Sequence, residues 1–147
     1  VELARRRVAA EWRERRPPQA TTADALAEEL LAAAGFTVLE RGARRPELGL
    51  TVDLVVEGAD GRRWCVDVSG SLAVPRAGLA RTEEVWRVIG QASVLDGPVL
   101  VLTSHLPTAN DRALRAAGLD PIGLTSPDAV ERLRRYSAGM EPSRPAW

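Results

Sequence analysis

The sequence predicts an α/β fold in which a mixed β-sheet carries helices on its faces. Two segments that alternate apolar and polar residues, LTVDLVVEG at 50–58 and RRWCVDVSG at 62–70, flank a short turn. The run GPVLVLTS at 97–104 is apolar at nearly every position, the pattern of a strand buried on both faces. Segments with helical spacing separate these strands. Strands joined by hairpins pair antiparallel, whereas a strand reached through a crossover helix pairs parallel, so one sheet must hold both kinds.

Residues 2–16 read as a polar, arginine-rich helix with a thin apolar stripe of Leu3, Val8 and Trp12, stopped by Pro17 and Pro18. A second helix is expected after Thr21, where Thr21 and Asp24 have capping-box spacing. It runs through ADALAEELLAAAG, with Leu26, Leu30 and Ala33 inward and Gly35 as its stop. FTVLERG is a short strand. In the next two strands, Leu50, Val52, Leu54 and Val56 oppose Thr51, Asp53, Val55 and Glu57, and Trp64, Val66 and Val68 oppose Cys65, Asp67 and Ser69. RTEEVWRVIGQASVL is a third helix, apolar at Val85, Val88, Ile89, Ala92 and Leu95. After the buried strand come a short helix in ANDRALRAAG and a strand in LDPIGLT. SPDAVERLRRY is a last helix, with Ser126 as cap and Pro127 at its first position. The expected organisation is an N-terminal helix over 1–18, a domain over 19–137 and a tail or linker over 138–147.

A chain of 147 residues, 45% hydrophobic and 27% charged, suits one soluble domain with a single core. It has no apolar run of membrane-spanning length, and its charged N-terminus is not a signal peptide. Cys65 is the single cysteine, which excludes an internal disulfide framework and leads to the expectation of a reducing cytoplasm. With 20 basic and 20 acidic side chains, net charge neither supports nor excludes a nucleic-acid partner. All 20 basic residues are arginine, so no lysine of this chain can act as a catalyst. The start at Val1 leads to the expectation of a segment cut from a larger protein.

The hairpin permits a geometric test. A three-residue loop at Ala59-Asp60-Gly61, with Gly61 left-handed, pairs Gly58 with Arg62. Counting back along both strands then sets Asp53 opposite Asp67 and Thr51 opposite Ser69. Two facing carboxylates repel unless a cation lies between them, so the pair is a natural seat for Mg²⁺ (or Mn²⁺), an ion that prefers oxygen ligands. A two-residue loop would instead put the acids on opposite faces. The plain alternative is a pair of acids on a solvated strand face.

These residues carry a resemblance. An aspartate in the second strand, an acid-x-cation triplet position in the third, and the order helix, three strands, helix, strand resemble the PD-(D/E)XK restriction-endonuclease-like superfamily. More narrowly, LLAAAGFTVLERG…TVDLVVEGADGRRWCVDVSGS…VLVLTS…AGLDPIGLT resembles Mrr-type restriction endonucleases and Holliday-junction resolvases over roughly residues 22–125. The resemblance implies a restriction-endonuclease-like mixed sheet flanked by helices, an αβββαβ core with a C-terminal αβα extension. It implies a Mg²⁺-dependent endonuclease acting on DNA in restriction, host defence or DNA processing, and commonly a homodimer. Asp53 and Asp67 match the family's metal-binding positions, and Asp24 matches the helix acid, with Glu28 one turn on. Ser69 stands where the family has lysine, and this is the departure. Some members move that cation to the following helix. Here Glu84, Arg87 and Gln91 share one helical stripe, so Arg87 is the candidate for a relocated cation and Gln91 for a ligand or water-holder. A serine cannot supply positive charge, so the rival expectation is a catalytically inactive module on the same fold that binds nucleic acid or a protein.

The remaining suggestive residues read more plainly. His105 is the single histidine and is expected to be a loop residue without a role; Cys65 is expected to pack. Ser71, Arg76 and Arg81 stand where they could meet phosphates at the site mouth. The arginine clusters at 5–7, 13–16, 41–45 and 132–135 could track a nucleic-acid backbone, but scattered and balanced by equal acid they read more plainly as solvated helix faces. Trp64 and Trp86 are expected in the core, and Trp12 and Trp147 at an interface or in no contact.

Overall fold

The computed structural model describes residues 22–139. The N-terminal helix expected over 2–16, with its arginine clusters and Trp12, and the tail beyond residue 139, with Trp147, lie outside the described residues. Five strands form one mixed sheet in the order β1 (Thr37–Arg45), β2 (Leu50–Glu57), β3 (Arg63–Ser69), β4 (Val99–Thr103) and β5 (Pro121–Gly123). The pairs β1–β2 and β2–β3 are antiparallel, while β3–β4 and β4–β5 are parallel. This is the α/β architecture with a mixed sheet that the sequence predicts.

The helices are α1 (Ala23–Ala33), α2 (Thr82–Val94), α3 (Asp111–Ala116) and α4 (Ala129–Ser137). Helix α1 is capped by Thr22 rather than Thr21: the Thr22 Oγ1 accepts the Ala25 N–H at 3.1 Å and satisfies a donor the helix cannot. It ends where Gly35 turns left-handed at φ 96° and the Phe36 N–H returns to the Leu31 carbonyl. Helix α4 starts later than expected. Ser126 and Pro127 lie in the preceding turn, where the Ala129 N–H bonds to the Ser126 carbonyl, and Asp128 takes the cap position. Strand β1 runs past the expected residue 42 to Arg45, with a register shift between Val38 and Glu40 that bulges Leu39.

Two layers of side chains hold the sheet between the helices. On one face, Leu26, Leu30 and Leu31 of α1 and Leu133 of α4 pack on Leu54, Val66 and Leu102. On the other, Val85 and Val88 of α2 and Leu114 of α3 pack on Val101. Strand β4 therefore supplies alternate residues to both layers, which is why its sequence is apolar throughout. Each fully buried leucine contributes about 1.5–3 kcal/mol relative to an exposed one. Trp64 is buried as expected, edge-on to Tyr136 at 5.2 Å between ring centres. Trp86, expected in the core, is instead 55% exposed. It lies one residue past Val85 on a helix whose inward arc is already filled by Val85, Val88 and Ile89. Among the described residues, no helix is long and apolar enough to cross a membrane.

Candidate functional site

The site begins at the hairpin between β2 and β3. Gly61 adopts φ 85°, and the Gly58 N–H donates to the Arg62 carbonyl at 2.9 Å, so the loop has the three-residue form. From there the ladder pairs Glu57 with Arg63, Val56 with Trp64, Val55 with Cys65 and Leu54 with Val66. Carried one step beyond that ladder, the count would set Asp53 against Asp67, and both residues line one small pocket together with Thr51, Val88 and Gln91.

The ladder stops at Leu54 and Val66, one pair short of the aspartates, and does not reach the Thr51/Ser69 pair expected from the count. The next β3 donor, the Val68 N–H, would go to a β2 carbonyl if the ladder continued. It goes instead to the Asp53 Oδ2 at 2.8 Å. The strands diverge here, and the side chain of Asp53 bridges the divergence. The change in packing agrees: Val52 and Leu50 join Ala43, Val55, Cys65 and Leu95, whereas Leu54 and Val56 belong to the main core. Simple two-residue alternation does not hold across Asp53.

Helix α2 brings the charge. Arg87 Nη1 donates to the Asp67 Oδ1 at 3.1 Å and Nη2 stands 3.5 Å from the Asp67 Oδ2. Nη2 also donates to the Ser69 Oγ at 3.0 Å, and that hydroxyl donates to the Asp67 Oδ2 at 2.7 Å. The guanidinium is fixed from its own helix by Glu84 and Gln91, with Nε to Glu84 at 2.9 Å and Nη1 to Gln91 at 2.9 Å. The stripe of Glu84, Arg87 and Gln91 thus meets Asp67 and Ser69 in one hydrogen-bonded group. A positive group stands beside the serine that occupies the lysine position of the resemblance.

The electrostatics are uneven across the pair. Burial pushes the Asp53 carboxyl above the ordinary aspartate range, and the charges of Asp67 and Asp24 add to the rise. The Val68 N–H and the Arg87 charge oppose it without cancelling it. Burial works against the charge of Arg87, but Asp67 and Glu84 outweigh it and hold the guanidinium above its ordinary value. Among the described residues, Asp67 therefore has a cation in hydrogen-bond contact, while Asp53 feels the same cation only at longer range.

The two helix acids separate. Asp24 is exposed at the start of α1, near enough for its charge to act on Asp53. Glu28, expected beside Asp24, is held by Arg41 of β1, whose Nε lies 2.8 Å from the Glu28 Oε1. One helical turn carries Glu28 toward the edge strand and away from the pair. Among the described residues, no three His, Cys, Asp or Glu side chains form a self-sufficient metal-binding group. What the pocket offers is a pair of hard carboxylate donors with a third acid in electrostatic range. A pair of this kind suits Mg²⁺, which usually takes one or two carboxylates and completes its shell with water and substrate phosphate.

Sequence inspection missed the support beneath β3. Gly70, at φ 101°, lies where a β-carbon would come within 2.8 Å of the Gly78 nitrogen and would also meet the Ser104 Oγ. The Ser104 Oγ accepts the Ser71 N–H at 3.1 Å, and the Thr103 Oγ1 accepts the Leu79 N–H at 3.0 Å. The segment after β3 is thereby pinned to the end of β4. The available signal was two glycines, eight residues apart, bounding a stretch without periodicity.

His105 makes a local contact from Nδ1 to the Ser104 Oγ at 2.8 Å, and Cys65 is half-buried beside Val55. Ser71 turns its hydroxyl to the Ala73 N–H, while Arg76 is exposed and Arg81 pairs with Glu83. Arg45 pairs with Glu40, Arg132 with Asp120 and Arg135 with Glu131, so members of the clusters at 41–45 and 132–135 are matched by acids. No family model matches the chain, and no curated protein and no solved structure matches it.

Proposed function

We propose that the chain is a Mg²⁺- or Mn²⁺-dependent phosphodiesterase of the PD-(D/E)XK restriction-endonuclease-like kind, acting on DNA in restriction, host defence or DNA processing. The observation that carries this reading is the guanidinium of Arg87, in contact with both Asp67 and Ser69. A cation delivered from α2 offsets the serine in the lysine position.

Asp53 and Asp67 would hold the divalent ion, with Asp24 acting on it at longer range. Bound there, Mg²⁺ would neutralise charge at the scissile phosphate and acidify the attacking water. Arg87 is suited to stabilise the charge that develops on the phosphoryl oxygens, and its fork can meet two of them at once. It is too basic to accept a proton. Gln91, bonded to Nη1, orients the fork, and Ser69 holds the Asp67 carboxylate by its hydroxyl.

One observation favours a second reading, a non-catalytic module on the same fold that binds nucleic acid or a protein partner. The carboxylates that line the pocket number two, and one of them already has an arginine partner. Cleavage of plasmid and oligonucleotide DNA in Mg²⁺ or Mn²⁺, by the native chain and by Asp67→Ala, separates the two. Cleavage lost in the variant supports the phosphodiesterase. Equal cleavage by both removes Asp67 from the chemistry, and salt-sensitive DNA binding without cleavage supports the module. A homodimer or a larger parent polypeptide belongs to the same proposal; light scattering of the purified chain checks the dimer.

A further inference from the structure

The contacts of Arg87 fall into two sets that can separate. Glu84 and Gln91 lie on the same helix, three residues before and four after, and move with it. Asp67 and Ser69 belong to β3, across the gap between helix and sheet. A change of rotamer that keeps the first set releases the second. In the present arrangement the guanidinium spans the two oxygens of Asp67, the same atoms a divalent ion needs. Asp53 is partnered by a backbone N–H and, among the described residues, has no arginine hydrogen bond, so the positive charge these residues bring to the pair is placed on one side.

We propose that Arg87 is the resident counter-ion of Asp67, that a divalent cation displaces it from that carboxylate, and that Glu84 and Gln91 keep the released guanidinium at the pocket to meet a phosphate oxygen. This rests on the reading of Asp53 and Asp67 as a divalent-cation site. One charge is exchanged for another at Asp67, so the empty pocket never holds two bare facing acids. The arginine and the ion compete for Asp67, and removal of the arginine therefore strengthens ion binding even though it removes a group the reaction needs.

The test is isothermal titration of the full chain with MnCl₂, without DNA, for the native protein, Arg87→Gln, Arg87→Lys and Asp67→Asn. Arg87→Gln is expected to bind Mn²⁺ at least roughly threefold to tenfold more tightly than the native chain, because the ion pair it removes is more buried than the surface pairs that set that range. Arg87→Lys is expected between the two, because an ammonium makes a point contact where the guanidinium spans both oxygens. It also keeps the inference testable should Arg87→Gln lose its fold. Asp67→Asn is expected to weaken binding by at least about tenfold. Arginine variants that bind no more tightly than the native chain, with Asp67→Asn still weakened, overturn the exchange and leave the metal site standing. The absence of binding in the native chain and both arginine variants removes the metal site and the exchange with it.

Discussion

Arg87 and Asp67 face each other across the gap between α2 and β3, the guanidinium reaching both carboxylate oxygens at 3.1 and 3.5 Å. The two residues are 20 positions apart and come from different elements, so the contact is a property of how α2 packs on the sheet. Val85 and Val88 bury the flanks of the helix, and that packing aims residue 87 at β3.

Arg87→Gln is the sharpest test of the chemistry. If the guanidinium stabilises charge on a phosphoryl group, its loss lowers the cleavage rate about 10²–10³-fold, as for other preorganised donors of this kind. Initial rates at saturating Mn²⁺ check it. A rate equal to the native chain's would remove Arg87 from the reaction. Glu84→Gln leaves the charge but loosens its tether, and is expected to cost about tenfold, less than loss of the guanidinium itself.

Much of this arrangement was legible in the chain. The three-residue loop Ala59-Asp60-Gly61 and the register it sets as far as Leu54 and Val66 were legible, because a glycine that can turn left-handed closes such a hairpin. The stripe at 84, 87 and 91 was legible because helical spacing leaves few choices. The strand divergence at Asp53 was not, since an interrupted ladder depends on what packs behind it and not on local pattern. Glu28 shows the same limit. Its helical position matched a helix acid, but Arg41 arrives from β1, and no periodicity within α1 announces that partner. Trp86 was misassigned because a large aromatic residue suggests burial, whereas the arc of α2 that faces the sheet is filled by Val85, Val88 and Ile89 and leaves residue 86 outside it.

The glycines after β3 set up a stability contrast. Gly70→Ala forces a β-carbon against the Ser104 hydroxyl and the Gly78 backbone, at a φ of 101° that alanine rarely adopts. Backbone cannot give way as a flexible side chain can, so a loss of about 3 kcal/mol or more is expected. Gly49→Ala, at φ 66° with open space around it, is expected to cost only about 1 kcal/mol. Urea unfolding of the two variants beside the native chain measures the difference; equal losses would remove the close approach as a determinant.

The core makes a simpler prediction. Leu102 is fully buried in the layer between the sheet, α1 and α4, from a strand that is covered on both faces. Leu102→Ala leaves a cavity that the rigid sheet cannot close and is expected to destabilise the domain by about 2–5 kcal/mol. Chemical denaturation checks it, and a loss below about 1 kcal/mol would mean that the layer collapses around the gap.

Asp53 supplies a pH dependence whose sign is fixed by its surroundings. Burial, with the charges of Asp67 and Asp24, raises its folded pKa above the ordinary aspartate range. Between the ordinary value and the raised one, the folded chain holds a proton that the unfolded chain has released. Stability therefore falls as pH rises through that window, and the penalty persists at neutral pH. Asp53→Asn removes the ionisable group but keeps an oxygen that can accept the Val68 N–H, so the bridge across the diverging strands survives. In buffer with a chelator, the variant is expected to melt at a higher temperature than the native chain at pH 7. The gain should shrink as pH falls through the window and vanish below the ordinary aspartate range, where both proteins are neutral at this position. Thermal unfolding across that pH range measures it. A difference that stays constant with pH would mean that charge at Asp53 is not what the substitution relieves, and the case for a cation-short carboxylate at the pocket would fall with it.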